Sequence, residues 1–408
     1  MINNWEEKTL EDIISKEKYS IKRGPFGSSL RKEFFVEKGI RVFEQYNPIN
    51  NDPNWCRYRI TKEKYEELKA FTCKAGDFLI SCSGTMGKIV FLPEGTEEGI
   101  INQALLKIRL DNDIVDNNFF MYLFQSPYFQ NKIFSSSKGS AIQNISSVKE
   151  LKKITFLLPT LKEQKRIVEK LDNVFQKIES LENNTKENIK NIEDLYNSYL
   201  NKIFTENTDD WEEKTFDKVC NIYTGNSINA NIKKQKYSNL DDGYNYIATK
   251  DISFSNVINY ENGIKIPKNE DKFKIAPKNS ILLCIEGGSA GRKIGMLKED
   301  VCFVNKLCAF IIKYKYLNHM FVYYYLQSPK FKQIFYDNKT GLIGGVSLNK
   351  LKKLTIAFPK IEEQKKIVDK LDTFNNKIEI IKQNYQNKLK LLDNLKKSIL
   401  NKAFNGEL

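Results

Sequence analysis

The stretch EQKRIVEKLD, Glu163–Asp172, is written a second time as EQKKIVDKLD, Glu363–Asp372, with eight of ten positions identical and an offset of 200 residues. Around it, LKKITFLLP ending at Pro159 returns as LKKLTIAFP ending at Pro359, and YLNKIF from Tyr199 returns as ILNKAF from Ile399. WEEKTLEDI from Trp5 matches WEEKTFDKV from Trp211, and QSPYF from Gln125 matches QSPKF from Gln327. Five segments in one order at a nearly constant offset mean two tandem copies of one unit. The interiors, residues 30–75 and 230–280, share little beyond composition. A common scaffold therefore carries two different middles.

Beyond Pro159 and Pro359 the chain turns polar and periodic. Leu171, Val174, Ile178, Leu181, Ile192 and Leu195, closing on Tyr199, fall on steps of three and four, interrupted at Thr185 and Asn188. Leu371, Phe374, Ile378, Ile381, Leu392 and Leu395, with Tyr385 and Ile399, repeat that frame, with Lys388 as its polar step. Such an a/d heptad predicts a helix packed along one narrow seam. About 40 residues at 1.5 Å each make a rod of roughly 60 Å. An apolar seam that long needs a partner, and the other copy is the nearest one. A compact domain between the rods keeps its termini close together, so the rods are expected to run antiparallel, in a dumbbell with pseudo-twofold symmetry.

The expected fold class is α+β: two mixed α/β domains, residues 1–155 and 206–355, separated by two long antiparallel coiled-coil helices, residues 156–205 and 356–408. DFLISC from Asp77, KIVFL from Lys88, ALLKIRL from Ala104, SILLCI from Ser280 and LCAFIIK from Leu307 read as strands. The runs from Phe119 and His319 read as helices broken at their Ser-Pro steps. Ser147 and Glu150 fit a capping box.

With 408 residues, 41% apolar and 12% aromatic, the chain has material for more than one core. No apolar run approaches the roughly 18 residues needed to span a bilayer, and MINNWEEKTLEDI lacks a signal core, so a cytoplasmic location without membrane attachment is expected. Seven cysteines without a C-x-x-C pair read as reduced thiols. A single histidine, His319, excludes multi-His metal sites and reads as packing. SGTMGK from Ser83 and EGGSAGRK from Glu286 lack phosphate-loop spacing and read as turns between strands. Glu6-Glu7 and Glu212-Glu213 read as solvated turn residues, and Asn47-Pro48 lacks the aromatic of an amino-methyltransferase signature. No catalytic or metal-ligating constellation assembles.

Sixty-five basic against 51 acidic residues leave a net charge of +14, which favours a polyanionic partner. A Lys-rich and Asn-rich composition bias accounts for part of that excess. Basic residues interleave with aromatics and amides in the first unit at Lys22, Arg23, Ser28, Ser29, Arg31 and Lys32, and at Arg57, Tyr58 and Arg59. Thr224, Asn226 and Ser227, and Arg292 with Lys293, are comparable in the second. Arg reads guanine, and Asn or Gln reads adenine, through paired hydrogen bonds.

LPTLKEQKRIVEKLD ending at Asp172, FPKIEEQKKIVDKLD ending at Asp372, the terminal LKKSILNKAFNGEL and the loop RGPFGSSLRKEFF from Arg23 resemble the specificity subunit of type I restriction–modification systems, over essentially the whole chain. YTGNSIN from Tyr223 departs from the family's usual Gly-Lys-Thr-Pro-like loop. The resemblance implies two target-recognition domains, each reading half of a split DNA sequence, with the paired helices setting the gap. Catalysis would lie outside the chain, with no cofactor or metal in it. Two modification subunits would methylate adenine with S-adenosylmethionine, and two motor–nuclease subunits would use ATP and magnesium, a system of phage defence. The first-unit residues Lys22, Arg23, Ser28, Ser29, Arg31, Lys32, Arg57, Tyr58 and Arg59, with Ser83, Thr85, Lys88, Lys138, Ser140, Gln143 and Asn144, would read one half-site. Thr224, Asn226, Ser227, Arg292, Lys293, Lys339 and Thr340 would read the other. Two other readings stand beside it: a coiled-coil protein-interaction scaffold without DNA specificity, and a chain of a related restriction–modification class.

Overall fold

The computed structural model describes residues 5–134, 145, 147–206, 208–341 and 344–408. The chain divides into two compact units. Unit 1 comprises residues 1–185 and 387–408, and unit 2 comprises residues 186–386. Each contains three small sheets, short helices, and one portion of each of two long helices, Leu161–Thr205 and Ile361–Phe404.

In unit 1 the strand Glu6–Thr9 pairs antiparallel with Thr155–Leu158. In unit 2 Glu212–Thr215 pairs in the same way with Thr355–Phe358. The repeated WEEKT segments and the TFLL and TIAF stretches before Pro159 and Pro359 are thus partners, in one ladder per unit. Glu6, Glu7, Glu212 and Glu213 are exposed strand residues and not turn residues: each pair is consecutive and so points to opposite faces, and both faces of that end of the two-stranded ladder are open to water.

Unit 1 has an antiparallel sheet ordered Ile21–Arg23, Leu105–Arg109, Asp77–Ser81, Ile89–Phe91. Unit 2 repeats it as Cys220–Thr224, Leu307–Ile312, Ile281–Cys284, Ile294–Met296. The expected strands all lie here. The turns from Ser83 and Glu286 connect neighbouring strands, as their spacing implies. One face of each sheet packs on a broken helix pair, Asn117–Gln125 with Pro127–Phe134 and His319–Gln327 with Pro329–Asp337. Ser126 and Ser328 sit fully buried at the breaks, each hydroxyl accepting the amide three residues on. The capping box between Ser147 and Glu150 forms.

The divergent interiors make the third sheets. In unit 1 this sheet has five strands, ordered Phe35–Val36, Tyr58–Ile60, Ile40–Phe43, Gly99–Ile101, Thr72–Cys73. In unit 2 it has four, ordered Lys265–Ile266, Tyr244–Ile247, Val301–Phe303, Ile275–Ala276.

The long helices bury a strict 3-4 seam, but not the whole of the predicted one. Leu171, Ile178, Leu371, Ile378 and Leu392 are buried and Ile192 is half-buried. The second seam position lies four residues after these, not three. It holds Phe175, Glu182, Ile189 and Tyr196 on the first helix, and Asn375, Lys382, Leu389 and Lys396 on the second. Val174, Leu181, Leu195, Ile381 and Leu395 therefore face solvent, with Leu195 at 55% and Leu395 at 46% exposure, and Lys388 is exposed as well. Phe374 is half-buried against Tyr196 and Tyr199. The charged side chains of the true seam form ion pairs with the opposing helix: Lys396 with the seam residue Glu182 at 2.8 Å in unit 1, and Lys382 with the flanking Glu193 at 2.9 Å in unit 2. Within unit 1, Arg166 bonds the carbonyl of Leu408 and Glu182 meets Lys396, so the two helix portions run antiparallel. Within unit 2, Glu193 meets Lys382 and Tyr199 meets Phe374, with the same sense.

Candidate nucleic-acid interface

In each unit, strand register brings separate loops to one end of the four-stranded sheet. In unit 1 Arg23 lies opposite Leu106 and Ser81 opposite Leu105. The chain segments after Arg23 and after Ser81 therefore leave at the same end. Gly24 donates to the carbonyl of Leu105 and Cys82 to that of Ala104. A Cβ on Gly24 would stand 1.8 Å from the carbonyl oxygen of Asn102, so only glycine permits this approach. The Asn102 amide in turn bonds the Phe43 carbonyl, which joins the five-stranded sheet to the same end. Val42 faces Tyr58 across that sheet, so Arg57, the next residue out, lies beside it too.

Unit 2 is built alike. Thr224 faces Cys308 and Cys284 faces Leu307, and a Cβ on Gly225 would stand 1.8 Å from the Phe303 carbonyl oxygen. Gly345 bridges both Glu286 and Thr340, and Val346 bonds the Ile285 carbonyl, so the loop at Lys339–Thr340 closes on the turn carrying Arg292 and Lys293.

The predicted residues divide by what their side chains already hold. Arg57 is exposed and stacks its guanidinium on the Tyr58 ring at 4.5 Å, and that ring stacks on Phe35. Arg59 is committed within the unit: it makes a two-pronged ion pair with Glu97 and bonds the Gly39 carbonyl. Lys22 lies over the rings of Tyr19 and Phe71, and with Arg23 lines an open cleft of about 620 Å³. Burial pushes the Cys82 thiol up to about 11, opposed by the nearby positive charge of Arg23. Ser28 and Ser29 lie on a 3-10 turn, Gly27–Ser29. Arg31, beside Glu33 at 3.8 Å, and Lys32 lie toward the other margin of the five-stranded sheet, because Phe35 pairs with Ile60 and not with Tyr58. Thr85 and Lys88 are exposed in the hairpin turn and Ser83 is half-buried. Lys138, Ser140, Gln143 and Asn144 lie outside the described residues.

In unit 2 the Asn226 side chain donates to the Lys272 carbonyl and accepts the Lys274 amide, and Ser227 donates to Asn305. Both are fastening residues in the free chain. Thr224 presents its carbonyl to the Lys274 ammonium. Arg292 is exposed, bonds the Gly288 carbonyl and lies over Phe254; Lys293 bonds the Thr249 carbonyl and lies over the same ring. Lys339 lies over Tyr336.

Three features escaped sequence reasoning. Phe26 stands inside the loop RGPFGSSLRKEFF, yet a single ring between Pro and Gly has no periodic signal. Phe254 is the ring that Arg292 and Lys293 share. Glu44, next to Arg57, has a buried side-chain oxygen without a hydrogen-bond partner, and burial raises its carboxyl above the ordinary range while Arg57 opposes the rise. It begins a turn folded the same way in both units: Asn47 accepts the Glu44 amide, as Asp251 accepts the Ala248 amide.

Among the described residues, no cluster of His, Cys, Asp or Glu is placed to hold a metal, and no helix is long and apolar enough to cross a membrane.

Two copies of one scaffold, each gathering basic loops at one end of a sheet, make this a duplicated α+β protein. The chain belongs to the family of the type I restriction modification DNA specificity domain, whose model matches residues 2–191 and 208–391. It is 24% identical over 370 residues to the type I restriction enzyme EcoBI specificity subunit of Escherichia coli, covering 81% of this chain and 73% of that one. It is 25% identical over 369 residues to the MjaVIII specificity subunit of Methanocaldococcus jannaschii, covering 83% and 81%. Among solved structures, a chain from a study of complex assembly and conformational transition of the type I R-M system superposes with a TM-score of 0.73 at 18% identity, over 99% of this chain and 98% of that one. The HsdS subunit from Thermoanaerobacter tengcongensis does so with a TM-score of 0.51, also at 18% identity, over 99% and 97%. These likenesses show a shared fold.

Proposed function

We propose that this chain is the non-catalytic DNA-recognition subunit of a type I restriction–modification complex, each unit reading one half of a bipartite duplex target in the cytoplasm. The observation that carries this reading is the gathering of Arg23, Arg57 and Lys88 at one end of unit 1, and of Thr224, Arg292, Lys293 and Lys339 at the corresponding end of unit 2. Sheet-mounted loops present side chains at fixed positions, which base-edge recognition requires. The dissimilar middles support two different half-sites, and the long helices would set the gap between them.

Partner subunits would supply the chemistry: modification subunits with S-adenosylmethionine, and motor–nuclease subunits with ATP and magnesium. The exposed apolar residues of the long helices support docking of such partners. Val174, Leu181, Leu391 and Leu395 in unit 1, and Leu195, Ile380 and Ile381 in unit 2, are apolar yet unburied, while Glu182, Lys382 and Lys396 occupy the seam. A helix that keeps apolar side chains on its outward face, while charged ones occupy part of its seam, has a second surface to cover.

Duplex binding measured across salt concentrations, with the modification subunit present, tests the reading. Affinity is expected to fall log-linearly with salt and to differ between sequences. Binding that ignores both salt and sequence would leave the coiled-coil scaffold as the better description.

A further inference from the structure

Each unit holds an exposed phenyl ring close to its basic loops. Phe26, at 90% exposure, is the most exposed large apolar side chain among the described residues. Its backbone is clamped on both sides. Gly24 is pressed against the Asn102 carbonyl, and Pro25 is buried. The Phe26 carbonyl accepts the Ser29 amide at 2.9 Å, and Leu30 is anchored in the cluster of Val42, Ile60 and Ile100. The ring thus projects from a fixed loop two to four residues from Lys22, Arg23 and the turn hydroxyls of Ser28.

Phe254, at 62% exposure, is the counterpart in unit 2. The Arg292 guanidinium stands 5.1 Å and the Lys293 ammonium 4.9 Å from its ring centroid. Its turn is closed by two bonds between Ser253 and Val257, and Lys293 is fastened to the Thr249 carbonyl at 2.9 Å. The two rings arise from different segments of the two units, so neither is a relic of the duplicated scaffold.

An apolar ring held in water gains nothing for the free chain. Held rigidly among cations, it has the form of a side chain that enters a base stack while its neighbours neutralise phosphates. We propose that Phe26 and Phe254 are wedges that press between adjacent base pairs, one in each half-site, and partly unstack them. This rests on the DNA-reading function above and names how part of it is done.

The test uses the complex of this chain with its modification subunits, on duplexes carrying 2-aminopurine at successive positions of the methylation-mapped target. The adenines that become methylated are left unlabelled, because methyltransferases extrude their target base and would brighten the probe there. The expected result is a several-fold fluorescence rise at one step in each half-site. Phe26→Ala abolishes one rise and Phe254→Ala the other, while Phe26→Leu, which keeps an apolar wedge, retains part of it. A sequence-preferring complex with no rise, or a rise that survives both alanine variants, overturns the wedge. Loss of preference at one thymine without any change in fluorescence overturns it too, and assigns the ring to a methyl contact. A wild-type complex without sequence preference overturns the DNA-reading function itself.

Discussion

Gln164 donates its side-chain amide to the carbonyl of Pro159 at 2.8 Å. The same side chain donates to the Ile114 carbonyl and accepts the amide of Asp116, the residue that caps the helix Asn117–Gln125. Two hundred residues later Gln364 repeats all three bonds, to Pro359, Tyr316 and Asn318, and both glutamines are fully buried. Asp172 and Asp372, which close the repeated segment, accept hydroxyl bonds from Tyr122 and Tyr324. The duplicated motif is thus a joint between a long helix and its own unit.

Gln164→Leu would leave two carbonyls and one amide without partners inside the protein. A loss of about 2–3 kcal/mol is expected from unit 1, by the cost of unsatisfied buried groups. Gln364→Leu should do the same in unit 2. Urea unfolding followed by hydrogen exchange at the Asp116 and Asn318 amides checks this, each variant exposing its own amide and not the other.

The corrected seam reverses the ranking that hydrophobicity suggests. Ile178→Ala, at a buried position, should cost about 2–4 kcal/mol. Leu181→Ala, at an exposed one, should change stability by less than about 0.5 kcal/mol. Co-purification with the modification subunit should rank them the other way, with Leu181→Ala the more damaging. Equal stability losses would contradict the seam described above.

Arg57 is exposed and rests on the Tyr58 ring, whereas Arg59 is held by Glu97. Gel shifts on half-site variants should show Arg57→Ala losing about 1–3 kcal/mol at particular base pairs of one half-site, and Arg292→Ala at the other. Arg59→Ala should weaken binding evenly, through the fold. Equal losses by Arg57→Ala and Arg292→Ala at every sequence would make both residues phosphate clamps.

Glu44 offers a pH test. Burial raises its carboxyl in the folded chain, so folding favours the protonated form, and the ionised form weakens the fold above the raised value. Acidification through the carboxylate range relieves that penalty. Glu44→Gln should therefore stabilise unit 1 at neutral pH, with an advantage that shrinks as pH falls. Melting temperatures of both proteins from pH 4 to 8 measure it; an advantage independent of pH would show that ionisation is not the cause.

The duplication, the two long helices and five strands of the four-stranded sheets were legible in the sequence, because repeats and periodicity are properties of residue order; the two-stranded ladders and the third sheets, built from short and weakly patterned strands, were not. Leu171, Ile178, Leu371, Ile378 and Leu392, which recur every seven residues and point inward whichever neighbour flanks them, were legible too. The choice between stripes three and four residues further on was not legible. Both satisfy a helix of 3.6 residues per turn, and only the position of the opposing helix decides which one is covered. It covered the stripe holding Glu182, Lys382 and Lys396, which can pair across the seam, and left apolar side chains in water. Tertiary structure likewise separated Arg57, just before a strand, from Arg59 within it, two residues apart in the sequence. Whether a charge is spent inside the fold or remains free for a partner depends on a carboxylate 38 residues away, which strand pairing alone brings near.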